Sequence, residues 1–159
     1  MSRQQKEIPA KAFSTPLSEA VRFREKAKLA GKTFVLTNGC FDLLHYGHVS
    51  SLTEASLLGD YLWVAMNSDL SVRNLKGKNR PIIPEEERAC LVESLACVSG
   101  VILFDNLRLD QEILALNPDI YVKAGDYTKK SIDAQEKKAL QSVKACLLYT
   151  SPSPRDSDS

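Results

Sequence analysis

The sequence predicts an α/β fold with a parallel sheet covered by helices on both faces. Three observations carry this. Four short apolar, strand-like runs are separated by segments whose apolar residues recur at helical spacing. Glycine and proline punctuate the helix boundaries. The strand bodies are apolar, while polar groups and glycines collect just beyond their carboxyl ends, where ligands bind in such sheets.

The elements follow in order. Thr15-Pro16 predicts a helix start, with Thr15 as N-cap and Pro16 in the first helical position. That helix runs through Ala30 and stops at Gly31, so residues 1–30 form an N-terminal arm and helix. Thr33 to Thr37 (TFVLT) is β-branched and apolar, a buried strand. A glycine-containing loop leads to a helix from about His48 to Leu58, closed by Gly59. Tyr61 to Met66 is the second strand. Pro84 opens a helix in which Arg88, Leu91, Val92 and Leu95 share a face, reaching about Val98. Val101 to Phe104 is the third strand, Leu109 to Leu116 a helix, and Ile120 to Lys123 the fourth strand. Ser131 to about Lys144 is helical again.

With 159 residues, 43% hydrophobic and 26% charged, the chain suits one ordinary domain with its own core. A net charge of +1 argues against broad coating of nucleic acid. No apolar run approaches the ~18 residues of a membrane span, and Met1 to Phe13 lacks the apolar stretch of a signal peptide, so a cytoplasmic location is expected. Cys40, Cys90, Cys97 and Cys146 are irregularly spaced, which fits reduced, structural thiols rather than disulfides or zinc.

Three strand ends converge on one predicted site: Thr37 to His48 after the first strand, Asn67-Ser68-Asp69 after the second, and Lys123 to Tyr127 after the fourth. Both histidines of the chain, His45 and His48, fall in the first loop at a helix start. Free N–H groups and the positive dipole end favour an anion there, and Gly47 lets it approach the backbone. Zinc fits less well, because no third or fourth ligand accompanies the pair. Arg73, Lys76, Lys78 and Arg80 follow without an intervening acid, and Gly77 with Asn79-Arg80-Pro81 suggests a loop. Basic residues next to an anion site suit a polyphosphate. Gly31-Lys32-Thr33 lacks the earlier glycine of a P-loop, and no G-x-G-x-x-G is present.

The chain end differs in character. Cys146 to Asp156 reads CLLYTSPSPRD and matches, residue for residue, one reading frame of a transposase sequencing adapter. Residues 146–159 are therefore expected to be an artefactual, disordered tail, and the domain over 31–145 to be truncated at its C-terminus. A fourth strand left as an exposed edge would make the chain nearly inactive and prone to aggregate.

Gly39-Cys40-Phe41-Asp42-Leu43-Leu44-His45-Tyr46-Gly47-His48 resembles the G-x-F-D-x-x-H-x-G-H signature of the cytidylyltransferase-like nucleotidyltransferases. TNGCFDLLHYGH, VAMNSD, LKGKNRP and VKAGDY, in order over roughly Gly31 to Tyr127, are similar to the adenylyltransferases that act on D-glycero-β-D-manno-heptose 1-phosphate. Two departures stand out: Asp105-Asn106-Leu107-Arg108 replaces a Glu-Asp-Thr-Pro-like stretch, and the later strand and Ser/Thr-rich motif are not recognisable. The resemblance implies a Rossmann-like sheet of HxGH type, transfer of AMP from ATP to a sugar 1-phosphate, Mg²⁺ with the ATP, and a homodimer. It places His45, His48, Lys76 and Arg80 in catalysis, and Thr37, Asn38, Gly39, Cys40, Phe41, Asp42, Gly47, Lys123, Gly125 and Asp126 around the nucleotide. Asp42 would order its loop or help the metal. Asn67 and Asp69 would line the acceptor side, and Arg88 would hold phosphate with Arg80. Neither nucleic acid nor membrane is an expected partner. The alternatives are a cytidylyltransferase for a polyol phosphate such as glycerol 3-phosphate, and a nucleotide-binding module without turnover.

Overall fold

In the computed structural model, residues 13–124 and 132–151 are described. The elements are α1 (Leu17–Leu29), β1 (Phe34–Gly39), α2 (Tyr46–Ser56), β2 (Tyr61–Asn67), α3 (Asp69–Lys76), α4 (Glu85–Glu93), β3 (Gly100–Phe104), α5 (Asp110–Leu116), β4 (Ile120–Lys123), α6 (Ala134–Ser142) and β5 (Cys146–Tyr149). The five strands are all parallel, in the order β3-β2-β1-β4-β5.

Alternation along the strands divides the core. Phe34, Leu36, Trp63, Ile102 and Tyr121 pack on one face with Ala20 of α1, Ile113 of α5 and Leu140 of α6. Val35, Val64, Met66, Val101 and Val122 pack on the other with Leu52 of α2 and Val92 of α4. Crossovers through α2 and α4 lie on one face and those through α5 and α6 on the opposite one. The chain therefore reverses its winding between β1 and β4, which opens a crevice at their carboxyl ends.

The predicted fold class and four predicted strands stand, with four corrections. First, Cys146–Tyr149 is not a disordered tail but β5, in register with β4 from Ile120↔Cys146 to Lys123↔Tyr149. The short turn after α6 aims the chain back along the sheet, and backbone bonds from Cys146 to Asp119 and from Thr150 to Lys123 tie both ends of the strand. The described sheet thus does not stop at β4.

Second, Arg73 and Lys76 lie on a helix rather than a loop. Ser68 caps α3 by accepting from the Ser71 N–H at 3.2 Å, Val72 is fully buried, and Gly77 at φ +102° ends the helix. Third, Thr15 does not cap α1: Pro16 takes the cap position with no side-chain cap bond and Leu17 starts the helix, while the Thr15 N–H ties the chain to Val101 O at 2.7 Å. Fourth, α4 stops at Glu93 rather than near Val98. Ser94 Oγ bonds back to Cys90 O at 2.6 Å, and Ser99 N is drawn to Leu62 O as the chain enters β3.

Candidate active site

The crevice between β1 and β4 is closed at its base by side chains of the sheet itself. Thr37 is buried, and its Oγ1 donates to Val122 O at 2.7 Å. Tyr121 Oη donates to Asn38 Oδ1 at 2.9 Å. One bond runs from β1 to β4 and the other from β4 to β1, so the strand ends that frame the site are locked together. Thr37 therefore braces the crevice instead of presenting its hydroxyl.

Beyond them the chain turns sharply. Phe41 sits at φ +50°, which folds its ring over Gly39; a Cβ on Gly39 would lie 2.7 Å from that ring. Glycine is required there by this close approach. Phe41 is buried against the core and meets His48 edge-on, with ring centroids 5.2 Å apart.

His45 and His48 form a capping box at the start of α2. Gly47 N–H donates to His45 Nδ1 at 3.0 Å, and His45 N–H donates to His48 Nδ1 at 3.2 Å. The rings stack with centroids 3.8 Å apart. Because each Nδ1 accepts a backbone N–H, the N–H that each ring can donate lies at Nε2. Two N–H donors and a helix N-terminus are therefore organised together. The sequence pointed to the histidines as donors but not to their mutual capping, which uses histidine where Ser/Thr and Glu are usual.

Asp42 organises the next layer. Its carboxylate is buried and accepts from Arg80 Nη1 at 2.9 Å, Ile82 N at 2.8 Å and Ile83 N at 3.2 Å. Burial pushes its acidity the other way, but the bonds from Arg80, Ile83 and Ile82 outweigh this and hold the carboxyl below the usual range. The segment carrying Arg80 is thus fastened to the histidine loop. Burial pushes the Cys40 thiol up, and the positive charges of Lys76, at the end of α3, and Arg88 offset only part of this.

Other predicted residues sit differently. Arg88, expected against phosphate, is fully buried and bonded to the chain: Nε to Ile83 O, Nη1 to Cys40 O and Asn67 O, and Nη2 to Asp69 Oδ1. Asn67 is buried too, its Nδ2 donating to Ser71 Oγ, while Asp69 remains at the rim and pairs with Arg88 at 2.7 Å. Lys123 approaches Glu136 of α6, with 3.8 Å between Nζ and Oε2. Gly125 and Asp126 lie outside the described residues.

Two contributions were not read from sequence, the cap that Ser68 makes and the contacts of Thr150. Ser68 had a readable signal, a cap residue directly before Asp69. Thr150, after β5, is buried, and its hydroxyl meets Ser51 of α2 at 2.7 Å, while Ser151 bonds Glu54. These contacts join the end of β5 to the histidine helix.

A doubly wound parallel sheet with paired histidines at its switch point defines a Rossmann-like nucleotidyltransferase. The chain belongs to the cytidylyltransferase-like family, whose profile matches residues 36–149. Among curated relatives, it is 50% identical over 108 residues to the bifunctional protein HldE of Syntrophotalea carbinolica, covering 68% of this chain and 22% of that protein. To bifunctional protein HldE of Helicobacter pylori (strain G27) it is 53% identical over 102 residues, 64% of this chain and 22% of the relative. The chain thus spans about a fifth of the length of the curated relatives it matches. A solved structure, the lipopolysaccharide core biosynthesis protein from Thermoplasma volcanium GSS1, superposes with a TM-score of 0.66 at 27% identity. That match covers 77% of this chain and 99% of the other. No helix among the described residues is long and apolar enough to cross a membrane.

Proposed function

We propose that this domain transfers the adenylyl group of ATP to D-glycero-β-D-manno-heptose 1-phosphate, giving ADP-heptose and pyrophosphate. The observation that carries the reading is the histidine capping box, in which both Nδ1 atoms accept backbone N–H groups at a helix N-terminus by the switch point, so that each ring would donate through Nε2. An oxygen of the sugar phosphate attacks the α-phosphorus of ATP as the bond from that phosphorus to the bridging oxygen breaks and pyrophosphate departs. The attacking phosphate is largely ionised near neutrality, so no general base is needed. Positioning and charge neutralisation are needed instead. His45 and His48 donate to phosphate oxygens, Lys76 and Arg80 supply positive charge, and Asp42 keeps Arg80 beside the loop.

Magnesium enters with ATP as part of the substrate. Among the described residues no three His, Cys, Asp or Glu side chains converge as a cation site, and Asp42 is committed to Arg80, Ile82 and Ile83. In this reading the phosphate oxygens of ATP would carry the ion into the site. The reading needs neither nucleic acid nor membrane.

Pyrophosphate release tests it, with ATP or CTP offered against heptose 1-phosphate and glycerol 3-phosphate. Release with ATP and the heptose phosphate alone is expected. Release confined to CTP with glycerol 3-phosphate would replace the reading with a polyol cytidylyltransferase. Nucleotide binding without release in any combination would leave a binding module.

A further inference from the structure

A buried cation is costly unless its donors are matched. Arg88 is 0% exposed, and its guanidinium reaches four parts of the chain: Cys40 just after β1 (2.7 Å), Asn67 at the end of β2 (2.8 Å), Asp69 at the start of α3 (2.7 Å), and Ile83 before α4 (2.9 Å). Ile83 in turn donates to Asp42. One planar side chain therefore links the histidine loop, the β2 end and the segment carrying Arg80, and its rigid fork suits several acceptors at once.

We propose that Arg88 is a positioning residue for nucleotidyl transfer, setting the separation of the β1 and β2 carboxyl ends so that the His45–His48 loop and the Asn67–Asp69 turn face one substrate, without itself touching phosphate. The kinetic part of this inference rests on the function proposed above; the structural part does not. Arg24 supplies a control within the same chain. It is also buried, donating Nε to Asn117 O at 2.9 Å and Nη2 to Asp69's counterpart at the other end of the sheet, Asp119, at 3.0 Å. Asp119 also accepts from Phe34 N at the start of β1. Its network lies at the amino ends of the strands, away from the site.

The experiment compares Arg88→Lys, Arg24→Lys and the unsubstituted chain by melting temperature, steady-state kinetics and peptide-resolved amide exchange. Lysine keeps the charge but cannot span four acceptors. Both variants should melt lower. Arg88→Lys alone should lose about 10²-fold in kcat, the scale expected of a small misplacement, with little change in KM for ATP. It alone should also exchange faster over residues 40–48 and 67–69. Wild-type kcat and loop protection in folded Arg88→Lys would overturn the proposal, as would equal kcat and loop losses in both variants. A raised KM at unchanged kcat would place Arg88 on phosphate and overturn it too. If the unsubstituted chain transfers no nucleotide, the proposed function fails, and the exchange comparison alone decides the positioning role. Should Arg88→Lys fail to fold, Asp69→Asn tests the same network, with the same exchange pattern expected and unchanged protection contradicting it.

Discussion

At the residue scale, the histidine pair does two jobs through different atoms of each ring. Nδ1 completes the capping box of α2, and in the proposed reaction Nε2 is the atom that donates to a phosphate oxygen. Replacing His48 by alanine removes both. Loss of a donor that acts on transition-state charge typically costs about 10²–10³ in rate, so kcat should fall on that scale while the ATP dissociation constant moves far less. Loss of His48's half of the capping box, the bond from His45 N–H, should cost less than the ~1 kcal/mol typical of losing an N-cap residue, read in a denaturant melt. Unchanged kcat in a folded His48→Ala variant would remove the histidine from the mechanism. Asp42 gives a pH signature. Its carboxyl is held below the ordinary range in the folded protein, so its contribution is present above the unfolded value and lost as pH falls through the folded one. Melting temperature should therefore drop on acidification below about pH 4, and Asp42→Asn should flatten part of that slope. Parallel curves would show that the bonds to Arg80, Ile82 and Ile83 are not worth what their geometry suggests.

At the element scale, β5 and the residues after it matter most. Tyr149 and Cys146 close the β4 edge, and Thr150 and Ser151 then bridge to Ser51 and Glu54 on α2. A chain ending at Ala145 should melt lower and scatter light on standing, because β4 becomes an unpaired edge. Equal melting and solubility would show that the β4–β5 ladder adds nothing. This strand was hidden in the sequence because CLLYTSPSPRD reads as an adapter translation, and that reading removed it from the fold. β1 to β4 were legible because each is an apolar run bounded by turn residues. α3 was not, since its exposed face is basic and Val72 is its one fully buried apolar residue. The loop residues of the site were legible from their types and spacing. The role of Arg88 was not, because a sequence does not distinguish a charge facing solvent from one enclosed by three carbonyls and a carboxylate.

At the scale of the whole molecule, the winding reversal between β1 and β4 determines where chemistry can occur. Thr37 and Tyr121 brace that crevice, and Asp42 and Arg88 fasten loops beside it. The proposed reaction is displacement at the α-phosphorus of ATP, not at its terminal phosphate. The most direct test follows the phosphorus atoms. ATP labelled separately at the α- and γ-positions is incubated with the chain and heptose 1-phosphate, and the sugar product is analysed by mass. The α-label should appear in a sugar nucleotide, with the γ-label leaving in pyrophosphate. A γ-label carried into the sugar product, with ADP released, would contradict adenylyl transfer.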